Sequence, residues 1–337
     1  MRNFFVETRR GKIFVQEAGE GKPIIFIHGA LLNSDLWLPQ LDAFSHQFRC
    51  IAYDLRGHGH SGPSRLVRYS TSVFAEDLFA LVDALAIKRP ILCGLSMGGM
   101  IAQIFTAKYP ERARGLVLCD TGISTSQHFT DRILNQVIGL VTPIINVLGV
   151  PEFRRFTHFI DQCFGDTSWV AQTERSMTFS KEALDMVQAR EVVKIVTAVR
   201  KFNSTPLYRP NIPTLIVNGE QDSLFILRQA TILQAVYPNS CYRVVPRAGH
   251  LSNLDNPEVF NSLMEEFLEE LSGTERKDLA VRNWLVSVVA QGRQMIRQWA
   301  SGRATAGRQY SIGALPKTRL EDAAAIVGPM TAEDAER

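Results

Sequence analysis

The chain has 337 residues, 45% of them apolar, with 37 lysines and arginines against 34 aspartates and glutamates, a formal net charge of +3. The apolar share is ample for a large core, but no apolar run approaches the ~18 residues that would argue for a membrane-spanning helix. Five cysteines, at positions 50, 93, 119, 163 and 241, are odd in number and include no C-x-x-C. That pattern excludes a disulfide framework and reads as small buried hydrophobes in a reducing compartment. The opening segment Met1–Thr8 has no signal-peptide core, so the expected location is the cytoplasm.

In chain order, residues 3–8 and 12–16 alternate as strands around a hairpin at Arg9-Arg10-Gly11. Ile24-Ile25-Phe26-Ile27 is a four-residue apolar run that suits a strand buried on both faces. It ends in His28-Gly29-Ala30, with Trp37 seven residues further on, placed to wall a pocket or to start the next helix. A strand from Arg49 to Tyr53 runs into the loop Asp54–Ser61, and a helix is expected near 72–86. Strands near 90–94 and 115–120 flank a helix at 97–109. This alternation argues for a mostly parallel sheet with helices on both faces.

From 122 to 208 the strand signal disappears and helical periodicity takes over, with aromatics that include Phe129, Phe153, Phe156, Phe159, Phe164, Trp169 and Phe179. The strand signal returns at Pro213–Asn218, with Asp222 just beyond its end, and again at Tyr242–Val245, followed by Arg247-Ala248-Gly249-His250. Asp120, in the turn Asp120-Thr121-Gly122, is expected to cap that turn, since aspartate side chains bond local backbone amides. Asp255 and Glu258 are expected at the first turn of the last core helix, where carboxylates suit the helix dipole.

The chemistry concentrates at Gly94-Leu95-Ser96-Met97-Gly98-Gly99. A serine flanked by glycines two residues either side, after a strand and before a helix, is the setting of a nucleophile elbow. A serine hydroxyl at its free pKa is a poor nucleophile, so Ser96 needs a base and the base needs an orienting group. His250 and Asp222 lie downstream in loops beyond strands, where they can serve. The Met97 N–H, at the start of the following helix, is a candidate oxyanion donor. His58 and His60 lie in a loop without a third ligand in view, so a zinc site is not expected, nor any other metal or cofactor.

These segments together resemble the α/β-hydrolase family over roughly residues 1 to 272, closest in texture to its small bacterial esterases, enol-lactonases and cofactor-free perhydrolases. The resemblance implies an eight-stranded, mostly parallel sheet with helices on both faces and an inserted helical cap. The hydrolase core then comprises 1–121 and 209–272, and the cap 122–208. It implies catalytic roles for Ser96, Asp222 and His250, with Asp120 the rival for the acid because some family members carry theirs after that strand, and with the Ala30 and Met97 amides as the oxyanion hole. His28 would shape the oxyanion loop, and His28, Trp37, Phe156 and Trp169 are the candidate pocket residues. The expected activity is hydrolysis of a small to medium ester or lactone. Perhydrolysis, carbon–carbon bond hydrolysis with the same triad, and a non-catalytic ligand-binding role are the alternatives.

The family does not account for 273–337. Between 276 and 319 there are nine basic residues and one acid, Asp278. Val281, Trp284, Leu285, Val288, Met295, Ile296 and Trp299 fit one helix face, which predicts a basic amphipathic extension over 273–300. Residues 279–299 are the candidate surface for peripheral membrane contact or self-association. The stretch 301–337 reads as disordered. No stacking or groove-reading module accompanies the basic tail, so nucleic acid is not an expected partner.

Overall fold

The computed structural model describes residues 1–126, 129–144, 149, 170–204, 207 and 211–273. All lie within one compact unit, Met1–Thr274. Eight strands form a single sheet: β1 (Arg2–Thr8), β2 (Gly11–Ala18), β3 (Lys22–Ile27), β4 (Phe48–Tyr53), β5 (Ile91–Leu95), β6 (Gly115–Cys119), β7 (Thr214–Gly219) and β8 (Ser240–Val245). Their order is β1-β2-β4-β3-β5-β6-β7-β8. The β1–β2 and β2–β4 pairs are antiparallel and the pairs from β4 onward are parallel.

The central strands are apolar throughout because both faces are covered. Ile25, Ile27, Ile51, Leu92, Leu116 and Ile216 point into one core layer, packed by α2 (Thr71–Ala84) and α3 (Met97–Lys108). Their neighbours Ile24, Phe26, Cys50, Cys93, Val117 and Val217 point into the other, against α1 (Leu38–Phe44) and the final helix over 257–273. This is the period-two alternation of a strand, hidden in sequence because both phases are hydrophobic. Cys50, Cys93, Cys119 and Cys241 are free thiols, and the first three are buried.

Trp37 belongs to this core at the start of α1, so of its two expected places, a pocket wall and the start of the next helix, the second holds. It is fully buried, with its ring centroid 5.1 Å from that of Phe26 and 6.2 Å from that of Phe260. An indole at the start of α1 fills the gap between sheet and final helix, where its large apolar area is best used.

Between β6 and β7 the described residues form helices: α4 (Phe129–Val141), α5 (Glu174–Asp185) and α6 (Ala189–Arg200). The extended contact in this insertion is an isolated bridge, Ser124 with Asn203. Two carboxylates, Glu191 buried and Asp255 half-buried, fasten the insertion to the sheet domain. Glu191 of α6 accepts from the Tyr69 hydroxyl and from Lys194 Nζ at 2.9 Å, and Lys194 also donates to the Ser64 carbonyl at 3.0 Å. Asp255 accepts from the Gln172 and Thr173 amides at 2.9 and 3.2 Å through one oxygen and from the Gly249 amide at 2.9 Å through the other. Asp255 therefore ties two loops together and does not open the final helix as its sequence position suggested. Helix α7 (Leu224–Val236) follows β7. Phe156, Trp169 and the whole tail 274–337 lie outside the described residues.

Candidate active site

The parallel register aligns the C-terminal ends of β5, β6, β7 and β8: Leu95 pairs with Cys119, Cys119 with Val217, and Gly219 with Val245. Loops leaving these ends meet at one edge of the sheet, which is where open α/β sheets place ligands.

Ser96 sits at the junction of β5 and α3 with φ 54° and ψ −116°, a left-handed backbone that a non-glycine residue rarely adopts. The strain is held by bonds on both sides. The Ser96 amide donates to the Cys119 carbonyl at 2.9 Å, and its carbonyl accepts from the Met100 amide at 3.1 Å and the Thr121 hydroxyl at 2.7 Å. The turn also requires bare backbone. A Cβ at Gly94 would stand 2.4 Å from the Gly98 carbonyl atoms, and one at Gly98 would stand 2.1 Å from the Ile27 oxygen. Both are below any real contact, so α3 can seat here only with glycine at these positions.

The turn after β3 lies against this elbow: a Cβ on Gly29 would be 3.3 Å from Ser96 Cβ. Ala30 is half-buried, and Leu31 has a positive φ of 62°. Two buried histidines brace the turn. His28 Nε2 accepts from the Leu55 amide at 2.9 Å, and His58 Nε2 accepts from the Leu31 amide at 3.1 Å. Burial lowers both rings, His28 to about 4 and His58 to about 3, so both are neutral and free to accept from those amides. Asp54, also buried, accepts from the Ser34 amide at 2.7 Å and the His60 amide at 2.6 Å. His28 thus acts as scaffold, and His58 and His60, which the sequence left without partners, belong to the same brace. Among the described residues no cluster of histidine, cysteine and carboxylate groups could hold a metal ion.

On the other side, His250 Nδ1 lies 2.8 Å from Asp222 Oδ2, with the Asp222 side chain fully buried and that of His250 14% exposed. The second Asp222 oxygen accepts from the Ser223 amide at 2.6 Å. A carboxylate can only accept, so the ring nitrogen facing it carries a proton. Burial works against a charged imidazole, but the Asp222 charge and hydrogen bond, with help from Asp120, raise the His250 pKa above its ordinary value. Asp120 does not cap its own turn. Its oxygens accept from the Gly219 amide at 2.8 Å and the Ser252 hydroxyl at 2.5 Å. Burial first, then the Asp222 charge, push its carboxyl well above the usual range.

The structure therefore brings Ser96, Asp222, His250, Met97 and the 28–30 turn to one end of the sheet, and removes Trp37 to the core. Sequence reasoning missed Thr121, Ser252, Glu191 and the bridging role of Asp255. A buried charge gives no local pattern, and only its partners, far away in the chain, mark it out.

Comparison with known proteins agrees with this fold. The alpha/beta hydrolase fold profile matches residues 22–141. The 3-oxoadipate enol-lactonase 2 of Acinetobacter baylyi is 28% identical over 260 residues, covering 74% of this chain and 89% of its own length. A putative non-heme chloroperoxidase of Synechocystis is 28% identical over 272 residues, covering 76% and 95%. The thermophilic esterase of Thermogutta terrifontis superposes with a TM-score of 0.66 at 24% identity, covering 80% of this chain and 99% of that one. The chain has the α/β-hydrolase fold.

Proposed function

We propose that the protein is a serine hydrolase that cleaves a small to medium carboxylic ester or lactone through an acyl-enzyme on Ser96. The observation that carries this reading is the 2.8 Å His250–Asp222 pair at the sheet end where Ser96 is held in a strained elbow. With Nδ1 committed to Asp222, His250 Nε2 is the atom that removes the Ser96 proton as the hydroxyl attacks the carbonyl carbon. Asp222 keeps the ring in that tautomer and offsets the charge of the imidazolium. The Ala30 and Met97 amides receive the developing oxyanion, a contribution of roughly 3–4 kcal/mol per donor where such donors have been removed. His250 then protonates the leaving oxygen, and water repeats the sequence on the acyl-enzyme.

Helices α4, α5 and α6 serve as a cap over this site, clipped down by Glu191 and Asp255. Esterases and an enol-lactonase among the similar proteins support the substrate class. The free cysteines support a cytoplasmic setting. The test is hydrolysis of p-nitrophenyl esters from acetate to decanoate by the protein and its Ser96→Ala variant. Serine-dependent turnover is expected, with a chain-length optimum set by the cap; wild-type turnover in Ser96→Ala would overturn the assignment. The chloroperoxidase relative favours one second reading, in which the same triad condenses a carboxylic acid with hydrogen peroxide to peracid and water. Halide oxidation that requires both acetate and peroxide would select it.

A further inference from the structure

Two consecutive residues beyond β6 touch the loops of all three proposed triad members. The Thr121 hydroxyl donates to the Ser96 carbonyl at 2.7 Å, beside the bond from the Ser96 amide to Cys119. Asp120, with a positive φ of 44° and no exposure, turns its carboxylate the other way. One oxygen takes the Gly219 amide, at the end of β7 and three residues before Asp222. The other takes the hydroxyl of Ser252, itself fully buried and two residues past His250. The acid and base loops also press on each other. A Cβ at Gly219 would stand 2.1 Å from the Gly249 oxygen, and the Gln221 amide donates to the Ala248 carbonyl at 2.8 Å.

We propose that Asp120 and Thr121 form a positioning hub that sets Ser96, Asp222 and His250 in mutual register, an inference that rests on the Ser96 hydrolase reading. Neither residue touches substrate. Thr121 acts on the backbone of Ser96 itself and Asp120 on groups two and three residues from His250 and Asp222, where displacement of a fraction of an ångström is felt in rate before it is felt in stability. The donor pattern also specifies the side chain. One Asp120 oxygen meets the Gly219 N–H and the other the Ser252 hydroxyl, so alanine loses both bonds. Asparagine keeps the bond from Gly219 through its oxygen and can donate from its NH₂ to the Ser252 oxygen.

The experiment measures kcat and KM on a p-nitrophenyl ester, the rate of Ser96 labelling by a fluorophosphonate, and the melting temperature. The variants are Asp120→Ala, Asp120→Asn, Thr121→Val and Ser252→Ala. Asp120→Ala and Thr121→Val are expected to lower kcat and the labelling rate together by about 10- to 100-fold, the scale of a misplacement near 1 Å. KM should stay within about twofold, because what is lost is transition-state geometry. Asp120→Asn should return kcat to within about threefold of the parent protein. Ser252→Ala removes one tether without touching β6, and should show a smaller kcat loss even if Asp120→Ala does not fold. Unchanged kcat in Thr121→Val and Ser252→Ala, or an asparagine variant as slow as alanine, would overturn the hub while leaving the hydrolase intact. A parent protein that neither turns over ester nor labels at Ser96 would overturn the hydrolase reading, and the hub with it.

Discussion

A methyl group added at residue 98 tests how tightly α3 is seated on the end of β3. In Gly98→Ala the new Cβ would lie 2.1 Å from the Ile27 oxygen, 2.7 Å from the Ile27 carbonyl carbon and 2.9 Å from the His28 oxygen. Real Cβ atoms keep at least 3.0 Å, so the helix must retreat by nearly 1 Å. Neither side can yield by rotating a side chain, because every atom met is backbone. Ile27 is fully buried in the sheet and His28 is held by Leu55. Overpacking of this kind costs about 1–3 kcal/mol. For a domain of this size that is a fall in melting temperature of about 2–6 °C. The effect on rate is larger, since α3 carries the Met97 amide and follows Ser96 directly. A shift near 1 Å should lower kcat/KM for an ester by about 100-fold. Gly62→Ala is the control. Its Cβ would meet nothing closer than the His60 oxygen at 4.0 Å, and its φ of 65° and ψ of −172° add backbone strain of roughly 1–3 kcal/mol without touching the elbow. Gly98→Ala with the kcat/KM of Gly62→Ala would refute the reasoning.

Asp222→Asn should lower kcat by about 10³- to 10⁴-fold, as loss of a triad acid does elsewhere. Because Asp222 holds the His250 pKa up and the neutral ring is the proposed base, the acid limb of kcat/KM should move to lower pH in this variant; a limb that stays put would count against the pair. The buried histidines act in the opposite sense on stability. His28 and His58 titrate near about 4 and about 3 when folded, below the ordinary 6.5, so stability should be complete above that value and fall as pH drops toward theirs. Urea midpoints measured from pH 7 to 3 should show this decline, flattened in His58→Gln; parallel profiles would refute it. Lys194→Met strands the buried Glu191 with Tyr69 as its main partner and should cost about 3–5 kcal/mol, read from chemical denaturation, whereas removing the exposed Arg190 near the same carboxylate should change little.

Much of this could be read from the chain alone because the signals are local. The elbow glycines, the apolar run Ile24–Ile27 and the loops bearing Asp222 and His250 each occupy a few consecutive residues whose backbone demands are stereotyped. A mostly parallel sheet follows from the succession of strand and helix segments, and its eight strands from the resemblance to the family. Other assignments failed because the deciding partner is distant in sequence. Trp37 reads as a pocket residue until Phe260, far along the chain, is found packed against it. Asp120 reads as the cap of its own turn until β7 and the His250 loop arrive on either side of it. Asp255 reads as a helix starter until the 172–173 amides turn toward it. Sequence determined which groups could do chemistry, because nucleophile, base and acid are properties of side chains and of the turns that bear them. Only the tertiary structure decided which buried polar groups hold them in place, because a carboxylate taken out of water goes to whichever donors the fold delivers.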